Sequence, residues 1–229
     1  NRATIFTGFC HSHDLDLFRE VDFDVARPFD PGSKRQIGLL SLRAVAREYW
    51  VKLNTCKLYK DLIRLATSRD IEAVRRMLNV PSLHEETLNT AVPLYRQFLT
   101  GTKESTSRIR KLYCSLYTQI QRNRFHLMRS CVFSVSGEAT IAGASPFAPE
   151  FDLEGRQLNT LHLEADPTDV VLTILPTDNR THILFTFHKR HAPKLEPLFN
   201  QMKALKEHVL KQILSKMVIM HCENTVLSP

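Results

Sequence analysis

The hydrophobic period of this chain changes from helical to strand-like near residue 128, and that change limits the fold more than any other feature. Before it, Ile109, Leu112, Tyr113, Leu116 and Ile120 recur at three- and four-residue steps. That is the period of about 3.6 residues expected of a helix with one buried face. After it, Cys131, Phe133 and Val135 alternate with Val132, Ser134 and Ser136, as in a half-buried strand. Helical patterns followed by strand patterns segregate helices from an antiparallel sheet, so the expected fold class is α+β.

The helical half extends the same reasoning upstream. Pro28 and the FDPGS turn at 29–33 interrupt an irregular start. Leu42, Val45 and Tyr49 then share a face, and Tyr59, Leu62, Ile63 and Ala66 repeat at helical spacing. Ile71, Val74 and Leu78 continue the pattern until Pro81. Ser82-Leu83-His84-Glu85 is a capping box, which predicts a helix start. Pro93 is expected to kink or restart that helix, and Gly101 to cap its C-terminus. We expect helices over 35–128, antiparallel strands over 129–190, and one long helix over 197–220. The last carries Leu198, Met202, Leu205, Val209, Ile213 and Met217 as its buried stripe.

Within the strand half, 160–164 alternates and 170–175 is apolar. Ile183, Phe185 and Phe187 oppose His182, Leu184, Thr186 and His188. Short connections predict an antiparallel meander. Residues 137–157 contain three glycines, two prolines and four carboxylates and read as one long loop.

The balance of charge points to a partner. Thirty-one Lys and Arg against 24 Asp and Glu leave +7, which suits nucleic acid or another anionic surface. A solvated basic face is the competing explanation. The hydrophobic fraction of 43% excludes a disordered chain. No apolar run is long enough for a bilayer, so no membrane partner is expected. Five widely spaced cysteines without a C-x-x-C and without an export signal lead us to expect reduced thiols in the cytoplasm. The first residues, without an initiator Met, lead us to expect a preceding segment.

The sharpest motif is Cys10-x-x-His13 within TIFTGFCHSHDLDLF. A thiolate and an imidazole three residues apart on a tight turn can reach one zinc ion, with two further ligands from elsewhere. Asp14 is placed to orient His13. The alternative is a buried Cys10 thiol with a surface or capping His13. Followed by LSLRAVAREYW, this stretch resembles the second half of an HNH-like zinc knuckle in uncharacterised bacterial proteins. The resemblance covers about the first fifty residues. It implies that 1–34 is half of a zinc site, with Cys10 and His13 as ligands, and that 35–229 is a separate α+β domain. It also implies a nucleic-acid-directed protein, a metal-dependent nuclease of phage defence, whose activating histidine lies outside this chain.

Other groups carry weaker signals. Arg108, Lys111, Arg122 and Arg124 flank the clearest helical stripe, with Tyr113 and Tyr117 interleaved, and are the expected phosphate contacts. His188-Lys189-Arg190-His191 follows a strand and offers imidazoles for metal or phosphate; a polar strand end is the plainer reading. His221-Cys222-Glu223 ends the last helix, and Cys222 is a conceivable partner for Cys10 at one zinc. The carboxylates Glu138, Glu150, Asp152, Glu154, Glu164, Asp166 and Asp169 offer a Mg²⁺ site, but no acidic-x-Lys pattern accompanies them. The P-loop, Rossmann and G-x-S-x-G patterns are absent. The alternative function is a non-enzymatic interaction subunit whose C-terminal amphipathic helix docks a protein partner or a second copy.

Overall fold

The computed structural model describes residues 11–22, 28–136, 141–160, 166–177, 180–222 and 225–227, with the side chains of residues 11, 13, 226 and 227 left out. The chain divides into two compact units, one of residues 1–48 with 112–229 and one of residues 49–111. The fold is α+β, as the change of period predicts.

Four helices come first: α1 (His11–Phe18), α2 (Lys34–Thr67), α3 (Ile71–Leu78) and α4 (Glu85–Gln121). The FDPGS turn starts α2 through its own side chains. Gly32 N–H donates to Asp30 Oδ1 at 2.8 Å and Gln36 N–H to Ser33 Oγ at 3.3 Å, while Gln36 Oε1 accepts from Asp30 N–H at 2.8 Å. These bonds satisfy donors that a helix start leaves open. Asp70 caps α3 by accepting from Ala73 N–H at 3.0 Å. The helix α4 starts at Glu85, two residues later than a capping box on Ser82 implies, with Leu88 N–H donating to His84 O at 3.1 Å, and then runs through both Pro93 and Gly101 without ending. Gly101 is therefore a helix-interior residue and not a C-cap. Tertiary packing of the long apolar stripe outweighs two unfavourable residues, each worth about 1 to 3 kcal/mol.

The sheet contains β1 (Met128–Ser136), β2 (Ile141–Phe147), β3 (Val170–Thr177), β4 (Arg180–His188) and β5 (Thr225–Leu227), in the order β1-β4-β3-β2-β5. All described pairings are antiparallel. The order is not the expected meander, because β1 pairs with β4 and not with β2. The reason is burial: β4 is buried on both faces and needs a strand on each side, and Cys131 and Phe133 of β1 sit in register with Phe185 and Ile183. The predicted loop also contains a strand, since Ile141–Phe147 forms β2. Pro146 is tolerated there because β5 covers only Ile141–Gly143, so no second neighbour needs its missing N–H. Most of the alternating stretch 160–164 lies outside the described residues.

The expected single C-terminal helix is two, α5 (Ala192–Lys203) and α6 (Glu207–His221). Lys206 is extended and breaks the run, while Pro193 occupies the first turn of α5. Both helices cover one sheet face. Phe133, Phe147, Val170, Leu172, Ile174, Ile183, Phe185 and Phe187 pack there against Leu195, Leu198, Phe199, Met202, Leu214 and Val218. The opposite face is buried too, at Val171, Leu184 and Thr186, and Met128 lies against Gly38 of α2. A Cβ at Gly38 would stand 3.1 Å from Met128 Cε, so the helix approaches the strand closely. Phe18 of α1 is fully buried under the Arg43 guanidinium, 4.4 Å from its ring centroid.

In the 49–111 unit, Leu62, Ala66, Val74 and Leu88 form the core, bordered by Tyr59 and Tyr95. Among the described residues, no helix is long and apolar enough to cross a membrane.

Candidate polyanion interface beside the end of β4

The strongest cluster of cations is assembled by strand pairing. Met128 at the start of β1 sits opposite His188 at the end of β4. The 3₁₀ turn Phe125–Leu127 therefore lies beside the 3₁₀ turn Lys189–His191. Two basic runs that are distant in sequence meet at one edge: Arg122, Arg124, His126 and Arg129 from the first, and His188, Lys189, Arg190, His191 and Lys194 from the second. All but His188 and His191 are exposed. Arg124 follows Asn123, whose left-handed backbone (φ 51) closes the end of α4. Arg124 N–H donates to Gln119 O at 2.7 Å and Asn123 N–H to Ile120 O at 3.1 Å, a Schellman closure.

A polar fastener holds the second run. Asn159, 3% exposed, accepts from Thr168 N–H and from Lys194 Nζ, both at 2.8 Å, and donates to Pro149 O at 2.7 Å. Lys194 Nζ also reaches Thr168 Oγ1 at 3.4 Å. Arg190 Nε donates to His191 Nε2 at 2.9 Å, which places the imidazole proton on Nδ1, 3.5 Å from Thr168 Oγ1. His188 Nδ1 accepts from Arg190 N–H at 3.1 Å. Burial first, then the nearby Arg190, lowers the pKa of both imidazoles; for His191, His188 and Lys194 add to the lowering and Asp166 opposes it. Glu196 pairs with Arg129 at 3.5 Å. Cations thus outnumber carboxylates here, and Lys194 sits in the first turn of α5, where the helix dipole is already positive. Such an arrangement gains stability from an anion.

Arg122 and Arg124 immediately precede the 3₁₀ turn at this edge. Arg108, half-buried, and Lys111, exposed, are residues of the 49–111 unit. Tyr113 and Tyr117 stack on each other, with centroids 5.9 Å apart. Cys10 and the side chain of His13 lie outside the described residues, as do Glu138, Glu164 and Glu223.

Asp152 uses its carboxylate to shape a turn. Its Oδ1 accepts from Glu154 N–H at 3.0 Å and Arg156 N–H at 2.9 Å, and its Oδ2 from Gln201 at 3.1 Å. Desolvation alone would raise its pKa, but these bonds and the Arg156 charge outweigh it and leave the pKa lowered. Among the described residues, no group of three or more His, Cys, Asp or Glu is placed to hold a metal ion. His221 stacks on Phe147 at 4.5 Å, and burial pushes the Cys222 thiol up to about 11.

Sequence reasoning missed Asn159, Thr168 and Lys194, since nothing local marks residues that meet only through the tertiary fold. It also missed the 2.8 Å hydrogen bond between Ser134 Oγ and His182 Nδ1, with Phe29 packed 5.0 Å from the imidazole. No protein-family model, curated protein or solved structure matches the chain.

Proposed function

We propose that this is a nucleic-acid-directed protein that contacts phosphates through the edge where Arg122–Arg129 meets His188–Lys194. The supporting observation is the Met128–His188 register, which gathers two basic runs with few carboxylates among them. Exposed guanidinium and ammonium groups position a phosphate backbone without reading its sequence. Binding to duplex DNA or RNA, followed by fluorescence anisotropy as salt rises, tests this. Affinity is expected to fall with a log–log slope of about −0.9 per phosphate contact, and Arg124→Gln and Lys189→Gln to reduce the slope by about 1 each. Both side chains are exposed, so the fold is expected to survive. No binding at low salt, or unchanged slopes, would sink the reading.

Acid should strengthen the same binding. His188 and His191 are held neutral in the free protein, and a bound phosphate favours their charged forms, so binding takes up protons. Affinity is expected to rise from pH 7.5 to 6, and less so in a His188→Gln/His191→Gln variant.

The narrower reading, a metal-dependent endonuclease of bacterial defence, rests on the resemblance around Cys10 and His13. Its test is metal content by mass spectrometry on protein with its natural N-terminus, beside Cys10→Ala/His13→Ala. About one zinc per chain, lost in the variant, is expected of a shared site; zinc in neither protein would remove the HNH-like reading.

A second reading is favoured by Ile219 and Met220 on α6, which are 81% and 74% exposed. An interaction subunit would use this end of the helix. If so, Ile219→Lys/Met220→Lys should abolish self-association or partner capture and leave the salt-dependent binding intact.

A further inference from the structure

We propose a second anion site, in the 49–111 unit, that takes the phosphate ester of a nucleotide. A cleft of about 350 Å³ opens there between the end of α2 and the first turns of α4. Its lining is Ala66, Thr67, Arg69, Asn89, Val92, Pro93 and Arg96. That volume is at the small end of ligand pockets. No carboxylate lines it, and among the described residues neither guanidinium pairs with a carboxylate.

Two backbone features of the cleft are locally unfavourable. The first is Arg69. Asp70 N–H donates to Leu65 O and Arg69 N–H to Ala66 O, at 3.0 and 3.1 Å, closing α2 in a Schellman motif with Arg69 at its left-handed position (φ 58). Gly suits that position, and Asn is the usual second choice. The other two non-glycine residues with positive φ among the described ones, Asn79 and Asn123, follow the rule; Arg69 departs from it. The second is Pro93 inside α4. A proline has no N–H, so the Asn89 carbonyl loses its usual helical donor four residues on, and both residues line the cleft.

The chemistry follows from the walls. Arg69 and Arg96 present planar guanidinium groups suited to phosphate oxygens. Val92, Pro93 and Ala66 form an apolar side for the sugar or base. The Asn89 side-chain amide supplies a donor and an acceptor for a ribose hydroxyl or a base edge. The ligand class is therefore a phosphate ester carrying an organic body, either a free nucleotide or one residue of a strand.

The test uses the full chain and two probes, adenosine 5′-monophosphate and a short single-stranded oligonucleotide, titrated by calorimetry. Arg69→Gly and Arg96→Gln are each expected to weaken binding about ten- to hundredfold, the worth of a charged hydrogen bond. Arg69→Gly relieves the left-handed strain, so its unfolding temperature should hold or rise, and its lost affinity is then not lost folding. Binding of the monophosphate, lost in both variants, identifies a free nucleotide as ligand. Binding of the oligonucleotide alone, measured in an Arg124→Gln/Lys189→Gln background so that the edge beside β4 does not contribute, and again weakened in both variants, identifies a strand. Affinities unchanged in both variants, or no saturable binding of either probe, overturn the site. Arg124→Gln and Lys189→Gln leave monophosphate binding unchanged, which separates this site from the edge beside β4.

Discussion

Asn159 sits almost without solvent and uses both ends of its amide. Its carbonyl oxygen serves Thr168 N–H and Lys194 Nζ, and its amino group serves Pro149 O. Truncation would orphan the buried Thr168 N–H and Pro149 carbonyl and release Lys194, which costs more than the bonds contribute in place. Asn159→Ala is expected to lower the unfolding free energy by about 2 to 4 kcal/mol, measured by urea denaturation, and to loosen Lys194. An unchanged midpoint would show that the fastener carries no weight. His182 sets a pH dependence. Burial, then the Arg180 charge, depress its pKa below the ordinary 6.5. Above that value the imidazole is neutral in both states. Below it the unfolded chain takes a proton that the folded chain resists, so stability falls until the folded pKa is passed. Urea unfolding at pH 7.5 and 5.5 should show this loss, and a smaller one in His182→Gln. Equal losses in the two proteins would assign the effect to other groups.

Elements tell where local rules yield to packing. Gly101 is followed by polar residues and looks like a terminator, yet α4 continues to Gln121 because Ile109, Leu116 and Ile120 beyond it are buried. A Cβ there would meet nothing within 4 Å. Gly101→Ala should therefore stabilise the protein by about 0.5 to 1 kcal/mol, read by thermal or urea unfolding. A C-cap glycine with positive φ would respond with the opposite sign, so this one substitution separates the two pictures. Pro93→Ala would restore the hydrogen bond to Asn89 O and is expected to stabilise α4 by about 1 to 3 kcal/mol. A loss of stability would mean that the proline is packed in a way the helix needs.

At the scale of the whole molecule, the two units differ in how much they bury. The sheet core draws on four strands and two helices, whereas the 49–111 core rests on Leu62, Ala66, Val74 and Leu88. Native-state hydrogen exchange should find its slowest amides in β3 and β4, which are bonded on both sides, and faster exchange throughout α3. Slower exchange in α3 than in β4 would reverse that ranking. The sequence by itself determined the class of the fold, the presence of a helix start close to Glu85 and which faces of β1 and β4 are apolar. Each of these depends on neighbours a few residues apart, where period and capping chemistry act. It also displayed Arg122, Arg124 and the His188–His191 run as basic, because charge is visible residue by residue. Only the tertiary structure decided that β1 pairs with β4, that the last helix breaks at Lys206, and that those two basic runs share an edge. Strand partners are chosen by burial across sixty residues of chain, and no local pattern contains that choice.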